Sequence, residues 1–518
     1  MALMSDSERP FVEAVARLAL CNPFLPERVD AERDALGPDF VSAGNVWHAR
    51  ADERPESPNL GAINERAKTL AQTLRGRLVS GTGAGPDELR LYEDLVLYLL
   101  YTEYDDDFHQ VIEDRTGATA RISFSSRFLR DVRFYLDVPG AKDLAVHDPA
   151  HLFALGFQIR RAFHFTFRNI LGASLPAARL RAAVWQSIFT HDIHRYRRSL
   201  YRCMGDVATL IVGPSGTGKE LVAQAIGLAR YIPFDPGKQA FVRDFSKSFF
   251  PLNLSALPTT LIESELFGHK RGAFTGAVQD RQGRLDLCPA AGTVFLDEIA
   301  EVDAAIQVKL LRVLQARTFQ RLGDAEERRF TGKIIAATNR DLGSEMGAGR
   351  FREDLYYRLC SDVIETPALE RQLRDSPDEL SHLLLFLASR IAGEEEAQAL
   401  SDQAGRWIVR HLGQDYRWPG NVRELEQCVR NIMIRGEYRP AGHASATPGD
   451  SLIQGVLSGS MSADAVLRSY CTLVYAQTTS YQETARRLGL DRRTVRQKVD
   501  ADLLRRLRAE VGEPGRGR

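Results

Sequence analysis

The sequence has no long hydrophobic run, no cysteine motif and no excess of either charge. Its most apolar early stretch, residues 91–101, is too short to span a bilayer and contains Glu93 and Asp94. The six cysteines are scattered singly, which argues against a disulfide framework or a zinc site. The 68 basic and 68 acidic residues cancel, so no chain-wide field points to nucleic acid or membrane. We expect a cytoplasmic protein with reduced thiols, no signal peptide and no membrane partner.

Local composition divides the 518 residues into four regions. Apolar residues at helical spacing, such as Leu152, Leu155 and Ile159, and a scarcity of strand signals predict an α-rich start. Strand-like runs then alternate with helical segments, which is typical of a parallel sheet covered by helices. The predicted regions are an α-rich N-terminal regulatory domain at 1–180, an α/β core to about 370 with a helical lid at 376–435 (together 183–435), a flexible linker at 436–464 and a helix-turn-helix unit at 465–511.

The N-terminal region carries no cofactor motif, metal-ligand spacing or phosphoacceptor context. Asp105, Asp106 and Asp107 are interpreted as a solvated loop rather than a metal cluster. Three inputs stay open for residues 1–180, namely a small molecule, a protein or another copy of the same region. The sequence also leaves open whether this region restrains or promotes assembly.

A glycine-rich loop follows the strand-like run at 209–212 and opens a helix. In this context, backbone N–H groups surround phosphates, the helix N-terminus adds positive potential, and a lysine reaches the terminal phosphates. The pattern predicts ATP binding. Glu220 stands where such loops commonly place Ser or Thr for Mg²⁺. The predicted phosphate-binding residues are Gly213, Pro214, Ser215, Gly216, Thr217, Gly218 and Lys219.

A second apolar run ends in Asp297 and Glu298. An acid at such a strand end can hold Mg²⁺ through water, and a second acid can orient the attacking water. Asn339 closes the next strand, where its side chain can approach the γ-phosphate. These residues predict ATP hydrolysis, with Asp297 as the Mg²⁺ contact.

Two arginines, Arg352 and Arg358, follow the catalytic segment, and their planar guanidinium groups suit the charge that develops on phosphate. Ordinary surface salt bridges with Glu353 or Asp354 are the alternative. A further arginine, Arg423, lies just inside a helix that a Pro-Gly turn introduces.

A six-residue loop between the phosphate-binding loop and the acids consists of Gly272, Ala273, Phe274, Thr275, Gly276 and Ala277. Its two glycines allow a tight, movable turn that presents Phe274 at its tip. Exposure of a large aromatic forgoes roughly 1.5–3 kcal/mol of burial free energy. We therefore expect this loop to contact a partner.

The C-terminal tail is locally basic, with 11 Lys/Arg and 6 Asp/Glu after residue 480. Residues 481–488 predict a helix, Gly489 and Leu490 a tight turn, and residues 491–499 a second helix. An apolar seam through Ala485 and Val495 fixes the two helices together, which favours a DNA-reading pair over a generic basic hairpin. The predicted outward-facing DNA contacts are Arg492, Arg493, Thr494, Arg496, Gln497 and Lys498.

Together these residues resemble the bacterial enhancer-binding proteins, the AAA+ activators of sigma-54 RNA polymerase. The resemblance runs from about residue 184 to 435, and its most specific part is ESELFGHKRGAFTGA at 263–277. It implies a bacterial cytoplasmic protein that assembles from dimers into a hexameric ring and hydrolyses ATP. It also implies contact of the loop at 272–277 with sigma-54 holoenzyme. The tail is similar to the Fis-type units of this family, which implies an enhancer-like inverted repeat in double-stranded DNA.

The resemblance also implies roles for single residues. Asn253 senses the γ-phosphate and couples it to Glu298, Arg352 and Arg358 complete a neighbour's site, and Arg423 senses nucleotide from the lid. Glu220 is usual in the family, whereas Pro214 replaces a usual Glu. The segment at 366–375 is looser than the family's version, and residues 231–248 are longer than usual and have no assigned role.

Two other readings are compatible with the same motifs. One is a DNA-binding AAA+ regulator or repressor that does not engage sigma-54, against which the intact loop at 272–277 argues. The other is a AAA+ remodeller of a different client, with the tail as a protein-binding module. The outward Arg, Gln and Thr side chains of the last helix weigh against it.

Overall fold

The computed structural model describes residues 2–42, 58–114, 120–139, 148–376, 378–413, 415–440 and 461–501, together with residues 144, 452, 456, 459, 503 and 504. The chain divides into two compact units, Met1–Arg430 and Asn431–Arg518. The first unit includes both the predicted regulatory region and most of the predicted 183–435 region. The boundaries proposed for the four regions stay predictions, and much of the predicted linker at 436–464 lies outside the described residues. Within the described ranges, no helix has the length and hydropathy that a bilayer crossing requires.

The start of the chain is helical, as predicted. In the described part of the chain, nine α-helices precede the first strand. Asp105, Asp106 and Asp107 form the first turn of a helix, so their interpretation as a loop was wrong; acids are favoured there by the helix dipole. The helices are α1 (Arg9–Leu20), α2 (Glu27–Leu36), α3 (Pro58–Val79), α4 (Pro86–Glu103), α5 (Asp105–Glu113), α6 (Ser125–Leu136), α7 (Pro149–Asn169), α8 (Leu175–Phe189) and α9 (Ile193–Arg198).

The α/β region alternates strands and helices, as predicted. Its elements are β1 (Thr209–Val212), α10 (Lys219–Leu228), β2 (Phe234–Asp235), β3 (Ala240–Phe241), β4 (Phe249–Asn253), α11 (Thr259–Phe267), β5 (Gly268–His269), β6 (Arg281–Gln282), α12 (Arg284–Leu287), β7 (Thr293–Asp297), α13 (Ala304–Ala316), β8 (Thr318–Phe319), β9 (Arg328–Arg329), β10 (Lys333–Thr338), α14 (Leu342–Gly347), α15 (Glu353–Leu359) and β11 (Asp362–Glu365). The lid helices are α16 (Leu369–Asp375), α17 (Glu379–Ala392), α18 (Glu394–His411) and α19 (Asn421–Arg435). The second unit contains α20 (Ala463–Thr478), α21 (Tyr481–Leu488) and α22 (Arg492–Lys498).

Five strands form one parallel sheet in the order β11-β1-β10-β7-β4. Every residue of β10 is buried, and so are the first three residues of β1, as expected for strands covered by helices on both faces. Since all five strands run the same way, their carboxyl ends share one edge. The glycine-rich loop, Asp297 and Thr338 therefore meet at that edge.

Helix α7 joins the N-terminal helices to the sheet by capping the end of α10. Gln158 donates to the Ala229 carbonyl at 3.0 Å, and Arg161 donates to the carbonyls of Leu228 and Arg230 at 2.7 Å each. Burial lowers the pKa of Arg161 to about 9. The carbonyls at a helix C-terminus lack partners within the helix and carry partial negative charge, so they can hold a buried guanidinium.

The long segment at 231–248 folds as a small hairpin, β2 and β3, against the N-terminal helices. The ring of Phe234 lies 4.3 Å from Phe153, and Phe241 lies 4.2 Å from Phe157 (centroid distances). The backbone N–H of Ile122 donates to the Gln239 carbonyl at 2.8 Å. The hairpin thus gives the N-terminal helices an aromatic surface on the core, which accounts for a segment that had no role from sequence.

We predict that Phe241→Ala lowers the free energy of unfolding of the first unit by about 3–5 kcal/mol, because the ring is buried between Phe153, Phe157 and Phe234. Chemical denaturation followed by circular dichroism measures the change. Val242→Ala is the matched control, since Val242 is exposed on the same hairpin, and we expect a change within about 0.5 kcal/mol. Equal effects of the two substitutions would contradict this packing role.

Candidate nucleotide, partner and DNA sites

The glycine-rich loop runs from β1 into α10 with three glycines at positive φ. Gly218 is the N-cap of α10 at φ +86. A Cβ on Gly216 (φ +80) would lie 2.2 Å from the Gly420 carbonyl of the lid, and one on Gly213 would lie 2.2 Å from Thr366 Oγ1. Glycine is therefore needed at 213 and 216 for the close approach of neighbouring chain.

The Lys219 side chain curls back over this loop. Its Nζ donates to the carbonyls of Gly213 at 3.0 Å and Pro214 at 3.2 Å. Burial lowers the pKa of Lys219, while the charges of Glu298 and Asp297 oppose that shift. Lys219 thus lies between the loop and the two acids. A terminal phosphate bound there would accept its hydrogen bonds. Glu220 is exposed in the first turn of α10.

The two acids lie at the carboxyl end of β7. Burial raises the pKa of Asp297, whereas Lys219 lowers it. Glu298 adopts the left-handed region at φ +56 and accepts a hydrogen bond from the Asn339 N–H at 3.3 Å. A non-glycine residue in that region costs about 1–3 kcal/mol and occurs preferentially at functional sites. The structure thus brings Asp297, Glu298 and Asn339 together, and their roles toward Mg²⁺, water and the γ-phosphate stay predictions.

Asn253 ends β4 directly beside Asp297 in the sheet register. Its Oδ1 accepts hydrogen bonds from the Ser255 N–H at 3.0 Å and the Ser255 hydroxyl at 2.8 Å. This geometry places Asn253 at the phosphate edge but joins its side chain to Ser255 rather than to Glu298. The coupling of Asn253 to Glu298 stays a prediction.

The lid contributes contacts that the sequence did not reveal. Asn421 donates to the Ser215 carbonyl at 2.9 Å and accepts from the Leu369 N–H at 2.8 Å. Arg423 donates to Ser215 Oγ at 3.2 Å, which brings it to the glycine-rich loop as predicted. Asn421 adopts φ +53, a conformation that asparagine tolerates better than most residues. The position of Asn421 directly after a Pro-Gly pair is the one sequence signal that could have identified it.

Arg352 and Arg358 are exposed, and among the described residues neither forms a hydrogen bond or ion pair with the glycine-rich loop. Arg352 forms a two-pronged ion pair with Asp354, at 3.0 and 2.7 Å, which is the alternative raised from sequence. Arg358 is exposed, and among the described residues no carboxylate lies within ion-pair distance of it. Exposed ion pairs contribute little free energy, so the Arg352–Asp354 pair is readily exchanged for another anion.

The loop at 272–277 is held by short backbone bonds at the end of the β5–β6 hairpin. The N–H of Gly272 donates to the Ala277 carbonyl at 2.9 Å, and that of Ala277 donates to the Phe274 carbonyl at 3.0 Å. Gly272 and Gly276 have φ +83 and +102 with open space around them. The glycines therefore serve backbone turning, as the sequence predicts.

The expectation of an exposed Phe274 at the loop tip was wrong. Its ring is half-buried and packs edge-on against His269, with centroids 5.0 Å apart, while Thr275 is exposed. Val278, just after the loop, is the most exposed large hydrophobic residue in the described part of the chain, at 81%. Apolar burial against the neighbouring imidazole explains the inward position of the ring.

Helix α11 connects this loop to the nucleotide edge. It begins shortly after Asn253 and ends at the β5 strand that leads into the loop. His269 accepts or donates a hydrogen bond with Ser264 of α11 at 2.7 Å, and its ring contacts Phe274. A shift of α11 would therefore be transmitted directly to the Phe274 ring.

The second unit packs three helices around Ala485, Val495 and Cys471. Gly489 ends α21 at φ +64, and Asp491 caps α22 by accepting from the Thr494 N–H at 2.9 Å. These bounds match the two helices and the turn predicted from sequence.

Four of the six predicted DNA contacts are exposed on α22: Arg492, Arg493, Arg496 and Gln497. The other two were wrongly placed. Thr494 is half-buried, and its hydroxyl donates to Asp491, so it serves the helix cap. Lys498 is half-buried and pairs with Asp464 of α20. Both side chains bond to neighbouring carboxylates and therefore do not extend outward from the helix.

Residues 190–365 match the family model of the Sigma-54 interaction domain, which spans all five strands of the sheet. A Nif-specific regulatory protein of Azotobacter vinelandii is 47% identical over 228 residues, 44% of this chain and 40% of that protein. The transcriptional regulatory protein ZraR of Salmonella typhimurium is 37% identical over 298 residues, 57% of this chain and 63% of that protein. The aligned part thus spans less than two thirds of either relative. NtrX from Brucella abortus, crystallised with ATP, is 23% identical, with a TM-score of 0.41 over 70% of this chain and 76% of that one.

We predict that Asn421→Gly weakens ATP binding about tenfold, because it removes the side-chain hydrogen bond from the lid to Ser215 of the loop and the one to Leu369 within the lid but keeps the left-handed backbone. Equilibrium titration of the full chain with a fluorescent ATP analogue measures the dissociation constant. Gln398→Ala, at an exposed lid position, is the control and should bind like wild type. Unchanged affinity in Asn421→Gly would rule out a binding role for the lid contact.

Proposed function

We propose that this chain is an ATP-hydrolysing transcriptional activator, because residues 190–365 match the family model of the Sigma-54 interaction domain. It binds upstream DNA through α21 and α22 and remodels sigma-54 RNA polymerase closed complexes into open complexes. The observation that carries the proposal is that β4, which ends at Asn253 beside Asp297, is followed by α11, and α11 ends at the strand that leads into the loop with Phe274 and Thr275.

The nucleotide chemistry follows from the sheet edge. Loop N–H groups and Lys219 bind the phosphates, and the N-terminus of α10 adds positive potential. The half-buried carboxylate of Asp297 is an oxygen ligand of the kind Mg²⁺ prefers, so it would hold the ion, which supplies charge compensation at the β- and γ-phosphates. Glu298 orients the attacking water, and Asn339 fixes Glu298 through its N–H.

The arginines argue for a ring. Arg352 and Arg358 lie on the exposed α15 segment and do not contact the chain's own glycine-rich loop in the described residues. In trans, each would complete the phosphate site of the next subunit. A contact of this kind joins two different surfaces, so it closes only as a ring. We propose a homo-oligomer that assembles to a hexamer.

DNA binding rests on the face of α22. Arg492, Arg493, Arg496 and Gln497 project from one short helix whose position is fixed by Val495. Such side chains suit phosphates and base edges in the major groove. Two units in a dimer would read an inverted repeat.

We predict that Glu298→Gln and Thr275→Ala separate chemistry from coupling. Glu298→Gln should bind ATP normally but lose turnover by at least a hundredfold, because the amide cannot act on the attacking water. Thr275→Ala should hydrolyse ATP at the wild-type rate but fail to open the promoter. Phosphate release and strand opening with sigma-54 holoenzyme measure the two steps. Turnover in Glu298→Gln would refute the catalytic assignment, and normal opening by Thr275→Ala would refute the coupling assignment.

We predict that Arg496→Ala lowers affinity for the specific DNA site by about 5- to 150-fold, since one major-groove contact is worth about 1–3 kcal/mol. The site would first be enriched from a randomised duplex pool by the full chain, and affinities would be compared at fixed salt. Arg468→Ala, an exposed arginine on α20, is the control and should keep wild-type affinity. Equal affinities in all three proteins would exclude α22 as the reading helix.

A further inference from the structure

A cavity of about 1330 Å³ lies in the first unit, between the N-terminal helices and the nucleotide core. Helices α1, α4, α5, α7 and α8 contribute most of its wall. Leu221 and Gln224 of α10 and Phe386 and Arg390 of the lid helix α17 complete it. Ligand sites in proteins are commonly about 300–1,000 Å³, so this space admits a body of several rings. The ATP chemistry described above does not use it.

One wall of the cavity is aromatic. The ring of Phe163 lies 4.9 Å from Trp185, 6.1 Å from Phe167 and 6.3 Å from Tyr101, and the last two pairs are stacked. Three of these rings are only partly buried in spite of their size. The wall therefore offers a flat apolar surface on which a flat apolar body can stack.

A cluster of bases lies next to this wall. The Arg160 guanidinium contacts His109 Nδ1 at 3.0 Å, and its buried Nε makes no hydrogen bond. Burial, together with the positive charges of His109, Arg160 and Arg168, lowers the pKa of His164 to about 4. Burial is the larger cause of this lowered pKa, and the additional effect of three basic side chains indicates a positive local potential.

The acids of the lining are already matched with bases. Asp105 lies 3.5 Å from Arg160, Glu113 lies 2.9 Å from His109, and Asp94 lies 3.4 Å from His194. By contrast, among the residues that the structure describes, Arg168 and Arg390 have no carboxylate within ion-pair distance. These two exposed arginines line the cavity from two different elements, Arg168 from α7 and Arg390 from the lid helix α17. An anionic ligand would meet unmatched positive charge, and a cationic one would not.

We propose that this cavity binds a flat apolar carboxylic acid, with its body against Phe163 and Phe167 and its carboxylate at Arg168 and Arg390. The ligand would be a small molecule, the first of the three inputs that the sequence left open for residues 1–180. Aromatic stacking fixes the body, and two guanidinium groups fix the anion.

The position of the cavity gives this ligand a route to the ATP site, a consequence that rests on the function proposed above. Asn169, at the end of α7, donates to the Leu221 carbonyl in the first turns of α10 at 3.0 Å. Arg390 belongs to α17, whose first residue Glu379 accepts from the Ala173 and Ser174 N–H groups. A ligand that joins Arg168 to Arg390 would therefore fix the lid relative to the helix that binds phosphate.

The binding test uses the full chain without nucleotide, so a failure of the ATP-driven function would leave it unaffected. The probe is 4-(1-pyrenyl)butanoate, whose fluorescence anisotropy reports binding, and the matched probe is the neutral 4-(1-pyrenyl)butanol. We expect saturable binding of the butanoate and at least tenfold weaker binding of the alcohol. Arg168→Glu should weaken butanoate binding at least tenfold. Arg130→Glu is the control, because Arg130 is an exposed helical arginine of α6 outside the cavity.

A cavity-filling variant, Leu97→Trp, is a second test that does not depend on charge, and it should lower the affinity for both probes. Equal affinities of the acid and the alcohol would overturn the carboxylate assignment. Equal effects of Arg168→Glu and Arg130→Glu, or unchanged binding in a folded Leu97→Trp, would overturn the assignment to this cavity. A ligand-dependent change in ATP turnover, measured afterwards, tests the route to the ATP site separately from binding.

Discussion

The structure of the first unit depends on helix α10 being held at both ends. Its first turn carries Lys219, which faces the phosphate edge, and its last carbonyls accept hydrogen bonds from Gln158 and the buried Arg161 of α7. Arg161 is 1% exposed and has no carboxylate partner among the described residues, and burial of such a charge is costly unless other oxygens accept its hydrogen bonds. The carbonyls at the C-terminal end of α10 accept them, and these bonds connect the N-terminal helices to the nucleotide core.

The rest of the unit extends that link. The hairpin at 231–248 surrounds Phe153 and Phe157 with further aromatic rings, and Glu379 of the lid accepts from the chain between α7 and α8. The N-terminal helices thus contact the core on one side and the lid on the other.

The sequence predicts what depends on local spacing, and the structure adds what depends on distant contacts. The glycine-rich loop, the strand that ends in Asp297 and the two C-terminal helices follow from short patterns, so their placement agrees. The hairpin strands are two residues each, too short for periodicity, and only the distant Phe153 and Phe157 explain them. Phe274 and Lys498 look exposed from local sequence, but His269 and Asp464 lie beside them in space.

The proposed function requires that ATP hydrolysis by this chain opens sigma-54 promoters. The most direct measurement places 2-aminopurine at the start site of a sigma-54 promoter and follows its fluorescence with holoenzyme and the full chain. We expect strand separation with ATP, and none with a non-hydrolysable analogue or with holoenzyme that carries a different sigma factor. Strand separation without hydrolysis, or ATP turnover without any strand separation, would contradict it.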